Sequence, residues 1–242
     1  AKITAATGVD ALCHAIETLI SKKTNPVCQT FSLRAIRLIF DNLEQCFRHP
    51  DDMQARENML LAAFYGGICI NTSSTVAVHA LAYPLGGSYH IAHGVSNAML
   101  LAQVMEYNED ACIDGYCQIA DTLDASLSQK ERADEVVKRV CALVRTLEIP
   151  TDLSAYHVSR DDIDFLTDSA FEVKRLLDQN PRPMTKADIR KIYETLFRKQ
   201  TKNVVFILNI LYTNPGCRMV SHLTAGVFQK SCPTMLQRAA GS

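Results

Sequence analysis

Apolar residues recur at three- and four-residue spacing along most of this chain, and that period predicts helices. The first is predicted from Thr7, a good N-cap with Asp10 three residues on as a capping-box partner, to about residue 21. Asn25-Pro26 opens a second, with Leu33, Ile36, Phe40 and Leu43 at helical spacing and Ile39 beside them; it ends near His49-Pro50. Asp51-Asp52 opens a third. After Met59 this segment is apolar nearly all round, which predicts the central helix of the core. Ser73 and Ser74 begin a fourth, TVAVHALAYPL, which Pro84 and Gly86-Gly87 are expected to stop. Further helical patterns cover 94–107, 109–123, 129–147, 161–168 and 185–197. No strand pattern stands out before residue 197, and there is no βαβ alternation, internal repeat or low-complexity segment. The expected fold is all-α, a multi-helix bundle with short loops.

The pattern fails at the C-terminus. All 26 acidic residues lie within residues 1–194, which hold 19 basic ones and so carry a net charge of −7. Beyond Glu194 the charged residues are Arg198, Lys199, Lys202, Arg218, Lys230 and Arg238, a net +6. The stretch VVFILNILY looks strand-like and insoluble by itself, and the rest has no periodicity. We divide the chain into a helical domain, 1–197, and an atypical basic tail, 198–242. The tail is read as foreign to the fold, in preference to a basic interaction arm.

Composition narrows the class of function. The chain is 48% hydrophobic and 21% charged, with a net charge of −1, so nothing points to nucleic acid. No uninterrupted apolar run reaches the roughly 18 residues of a membrane span, and AKITAATG lacks the apolar region of a signal peptide. The chain opens on Ala1 rather than Met, which we read as a start inside a longer product. The nine cysteines form no C-x-x-C pair and mostly sit among apolar neighbours, as reduced thiols of a cytoplasmic protein do.

Four side chains suggest a metal site. Asp10 and His14 lie one helical turn apart in GVDALCHAIE, and His79 and His93 bracket the Pro-Leu-Gly-Gly break in VHALAYPLGGSYHIAHGVSNAML. Any one histidine on an apolar face is more simply a hydrogen-bonded core residue, and His49, His157 and His222 are read that way. The joint placement lifts this set: His79 lies in TVAVHALAY, where an unpartnered polar group would be costly, and His93 precedes Gly94 where the backbone is crowded. One carboxylate with three imidazoles suits Fe(II), Zn or Co better than Mg or Ca. Competing templates are absent: no H-E-x-x-H, no His-Asp dipeptide, no G-x-S-x-G, no G-x-G-x-x-G and no phosphate-binding loop.

In this order, G-x-D-A-x-x-H-A-x-E, H-A-x-x-x-P-L-G-G and H-G-x-x-N-A-x-L resemble the iron-containing (group III) alcohol dehydrogenases. NPRPMTKADIRKIYE, residues 180–194, is similar to the end of that family's helical domain. The resemblance covers about residues 1–197 and implies the metal-carrying C-terminal half of a dehydroquinate-synthase-like fold. It implies Asp10, His14, His79 and His93 as ligands of Fe(2+), with Zn(2+) as the alternative, and places His93 near the nicotinamide. His90 and Tyr83 become candidates for the proton path and pocket wall. Tyr83 stands where many members carry a second histidine, and Ala92 where many carry proline. The N-terminal α/β domain that would bind NAD or NADP has no counterpart in residues 1–242.

The implied activity is a metal-dependent alcohol dehydrogenase acting on a small alcohol or aldehyde, with a homodimer as the expected assembly and neither nucleic acid nor membrane as partner. Four protein ligands would leave one or two positions for substrate or water, which suits Fe(II) better than tetrahedral zinc. The alternatives are a truncated fragment that binds metal without turnover and a relative resembling the glycerol dehydrogenases.

Overall fold

A computed structural model describes residues 1–123 and 127–197; the predicted tail, with its strand-like stretch, lies outside the described residues. The helices are α1 (Lys2–Ile20), α2 (Pro26–Arg48), α3 (Met53–Thr72), α4 (Ala77–Tyr89), α5 (His93–Thr122), α6 (Gln129–Thr146), α7 (Ile163–Phe171), α8 (Lys174–Leu177) and α9 (Lys186–Thr195). Two 3-10 turns, Leu153–Tyr156 and Arg160–Asp162, join α6 to α7. No strand occurs among the described residues, as the sequence periodicity predicts.

The starts of α2, α3, α6 and α9 fall where expected. Asn25 caps α2 by accepting from the Cys28 N–H at 3.0 Å, with Pro26 as the first helical residue. Asp52 caps α3 through the Ala55 N–H at 3.0 Å. Ser128 with Glu131, and Thr185 with Asp188, form capping boxes at α6 and α9. His49 is the C-cap of α2, in keeping with its expected place at a helix end.

Four expectations are corrected. Thr7 is inside α1 and not at its start; its hydroxyl donates back to the Ile3 carbonyl at 2.9 Å, and Asp10 is turned inward. α4 begins at Ala77 and not at Ser73-Ser74, and Pro84 does not stop it: it runs on to Tyr89 and ends on His90 in the left-handed conformation (φ 54°). Positions 94–107 and 109–123 are one helix, α5, of 30 residues. Asn108 does not break it because its amide is buried in a reciprocal pair with Asn180, at 2.7 and 3.0 Å.

The fourth correction is the largest. α3 is not the central helix: only Ala55, Ala62, Gly66 and Cys69 of it are buried, while Leu60 is 73% and Phe64 62% exposed. The central element is α1, which touches α2, α3, α4 and α5 and buries Leu12, Cys13, Ala15 and Ile16 completely. By length and apolar content α1 could cross a bilayer, yet here most of it is buried inside the bundle.

Small residues set how closely α1 is approached. A Cβ on Gly94 would overlap the Ala6 carbonyl, so only glycine lets the start of α5 cross α1 at this spacing. This is the backbone crowding expected after His93. A second group of helices, α7 to α9, closes the far side of α4, where the buried Tyr193 hydroxyl donates to the Leu81 carbonyl at 2.6 Å. Cys13, Cys28, Cys46, Cys69, Cys112 and Cys117 are buried thiols, and burial pushes that of Cys112 up to about 12.

Candidate metal centre

The cluster forms where α1, the first turn of α4 and the first residue of α5 meet. Helical spacing puts Asp10 and His14 on one face of α1. His79 is the third residue of α4, and His93 opens α5, held against α1 by the Gly94 contact. Asp10 Oδ1 lies 3.8 Å from His14 Nε2, 3.7 Å from His79 Nε2 and 3.5 Å from His93 Nε2. The His14 and His79 rings stack at 4.8 Å, and those of His79 and His93 meet tilted at 5.1 Å. His79 is buried at the base, Asp10 and His14 are half-buried, and His93 forms the open rim. The structure therefore brings together all four residues that the sequence singled out.

Electrostatics differ among the three rings. Burial lowers His14 below the ordinary histidine range, against the pull of Asp10, and burial likewise lowers His93. Burial also disfavours the charged form of His79, but the Glu17 carboxylate beside it overcomes this and holds it raised. The lowering favours the neutral form of His14 and His93.

Three features of this geometry fit a divalent cation. Metal bonds of about 2.0–2.2 Å to nitrogen and oxygen set neighbouring donors about 3–4 Å apart, the range seen around Asp10 Oδ1. One carboxylate with three imidazoles is a donor set of borderline hardness, open on the His93 side for a further ligand. The Asn97 amide nitrogen donates to Asp10 Oδ1 at 2.6 Å and stands 3.3 and 3.2 Å from His79 Nε2 and His93 Nε2, while its Oδ1 is buried without a partner. A buried acceptor left unpaired beside four converging donors marks a polar centre that protein atoms alone do not satisfy.

Of the two proposed pocket residues, Tyr83 is 41% exposed with its ring over His93 at 6.2 Å. His90 caps α4 from an exposed position, and its ring takes no part in the hydrogen bonds of the cluster. Two participants escaped sequence reasoning. Glu17 lies seven residues after Asp10 and Asn97 four after His93; helical spacing from a candidate ligand, inside the motifs G-x-D-A-x-x-H-A-x-E and H-G-x-x-N-A-x-L, was the available signal, and the structure buries both.

Comparison with known proteins identifies the family. The description "Fe-containing alcohol dehydrogenase family, C-terminal" matches residues 4–197. Over 199 residues the chain is 38% identical to long-chain-alcohol dehydrogenase 1 of Geobacillus thermodenitrificans, covering 81% of this chain and 50% of that protein. It is 32% identical over 195 residues to the NAD-dependent methanol dehydrogenase of Bacillus methanolicus, covering 79% of this chain and 51% of that one. The crystal structure of a 1,3-propanediol oxidoreductase superposes with a TM-score of 0.77 at 35% identity, over 80% of this chain and 51% of that chain. The chain spans about half the length of the curated relatives it matches.

Proposed function

The chain belongs to the Fe-containing alcohol dehydrogenase family, and from that premise we propose that residues 1–197 are the metal-carrying half of an enzyme that interconverts a small alcohol and its aldehyde or ketone. The observation that carries this reading is that His14, His79 and His93 each bring Nε2 within 3.8 Å of Asp10 Oδ1 at a junction of three helices. These four residues would hold Fe(II). When bound, the metal supplies Lewis acidity toward a substrate oxygen.

The chain's own residues supply the surroundings. Asp10 brings the single negative charge of the donor set, so a divalent ion keeps a net positive charge for polarisation. At His14 and His93, lowered by burial, protons compete little with the ion for the ring nitrogens near neutral pH. The exposed edge of His93 and the Tyr83 ring form one wall of the opening through which a small polar substrate would reach the centre. The hydride acceptor would be NAD or NADP, as the name of the B. methanolicus relative suggests for that protein. No glycine-rich dinucleotide motif occurs in the chain, so the nucleotide would be held by residues outside it.

The test is metal content. The chain purified with Fe(II) should carry about one equivalent, and the His14→Ala, His79→Ala double variant should lose nearly all of it. Equal metal in the two proteins would remove the assignment. By the same reading the chain alone should show no NAD(P)-dependent alcohol oxidation, since its sequence carries no dinucleotide motif to bring the hydride acceptor within reacting distance of the substrate carbon.

A further inference from the structure

The base of the cluster is built on a buried carboxylate. Glu17 is 1% exposed and projects from α1 on the face that carries Asp10 and His14. A buried carboxylate is costly unless both oxygens are occupied. Here Oε1 accepts the Val78 N–H at 2.7 Å, and Oε2 meets Nδ1 of His79. Val78 and His79 are the second and third residues of α4, whose N-cap, Val76, offers no side-chain oxygen. Glu17 thus performs from α1 the capping that α4 lacks locally, with its charge at the positive end of that helix. The same contact places a proton acceptor on Nδ1 of His79 and leaves Nε2 facing Asp10 Oδ1 and Asn97.

We propose that Glu17 is the positioning residue of the centre: by holding the proton of His79 on Nδ1, it fixes the ring with the Nε2 lone pair directed at the metal, while its other oxygen anchors the start of α4. The proposal rests on the metal-binding reading above. It assigns to one carboxylate both the orientation of a ligand and the docking of the helix that carries it. Outer carboxylates that orient a metal-binding imidazole typically contribute 10- to 100-fold to affinity.

Glu17→Gln separates the two roles. The glutamine carbonyl can still accept from Val78 N–H, so the cap survives. Its amide NH2 then faces Nδ1 of His79, which must become an acceptor; the ring proton moves to Nε2 and points at the metal. The full chain and this variant would be titrated with Co(II), followed by the visible absorption of the bound ion, and melted metal-free. The expected result is a melting temperature within a few degrees of wild type with Co(II) binding weaker by about 10- to 100-fold. Unchanged affinity in a folded variant overturns the proposal and leaves the metal assignment standing. Absence of Co(II) binding by the wild-type chain overturns both.

A second measurement does not depend on the variant folding. In the Zn(II)-loaded wild-type chain labelled with 15N-histidine, the His79 ring should show a protonated Nδ1 and a coordinated Nε2. Coordination through Nδ1, or a ring free of metal, overturns the proposal.

Discussion

α1 and α3 look alike as strings and end in opposite places. Both are long and rich in Ala, Leu, Ile and Cys, and α3 has the more continuous apolar stretch. Yet α1 is enclosed on nearly every side and α3 turns Leu60 and Phe64 to the exterior. The difference lies in what each helix offers at close range. α3 packs through a narrow strip of small residues, Ala55, Ala62, Gly66 and Cys69, and Gly66 comes against His14 of α1. α1 offers a broad apolar face and a polar one, and the polar face is buried because it is met. Asp10 receives the Asn97 amide, and Glu17 receives Val78 N–H and His79. Burial of a helix therefore follows from how many partners its residues can satisfy, not from mean apolarity.

The sharpest way to break this comparison is truncation of leucine on each helix. Leu12→Ala on α1 should cost about 2–5 kcal/mol, as removal of a fully buried side chain does, whereas Leu60→Ala on α3 should stay within about 0.5 kcal/mol. Chemical denaturation of the metal-free chain measures both. Similar losses would mean that α3 is covered in solution and that the contrast drawn here is wrong.

Glycine substitutions sharpen it at a smaller scale. Gly94→Ala forces a Cβ into the Ala6 carbonyl and should destabilise by about 1–3 kcal/mol, with weaker metal binding because His93 is the adjacent residue. Gly67→Ala on α3 meets no atom within 4 Å and should stabilise by about 0.5–1 kcal/mol through helix propensity. Melting curves giving the same sign for both would refute the packing account.

The smallest expected effect is in acid. His14 on α1 is lowered by burial from 6.5, so the unfolded chain takes up its proton first, and the stability tied to neutral His14 declines as pH falls below about 6.5. His79 has the opposite sign: it is raised, so its contribution is full below 6.5 and is lost as pH rises through its folded value. At the start of α3, Asp52 is lowered from 3.8 by the Ala55 N–H and by Gln45, and its contribution goes only below that value. Metal-free His14→Ala should therefore lose less stability than wild type between pH 7 and 5.5. Parallel curves for the two proteins would show that His14 is not desolvated.

What the linear chain determined is whatever depends on neighbours in sequence. The caps at Asn25, Asp52, Ser128 and Thr185 need only residues three positions away; the first two begin α2 and α3 as read, and α6 and α9 begin where periodicity put them. The pairing of Asp10 with His14, and the need for glycine after His93, follow from helix periodicity and backbone crowding in the same way. Tertiary structure decided the rest. The start of α4 has no cap in its own sequence, and its true cap, Glu17, is about sixty residues away. α5 runs through Asn108 because Asn180 satisfies the amide, and α3 lies at the surface because only its strip of small residues is buried, Gly66 against α1 and Cys69 against α2. Each of these turns on whether a polar group or a close approach finds its complement across the fold, and no local pattern carries that information.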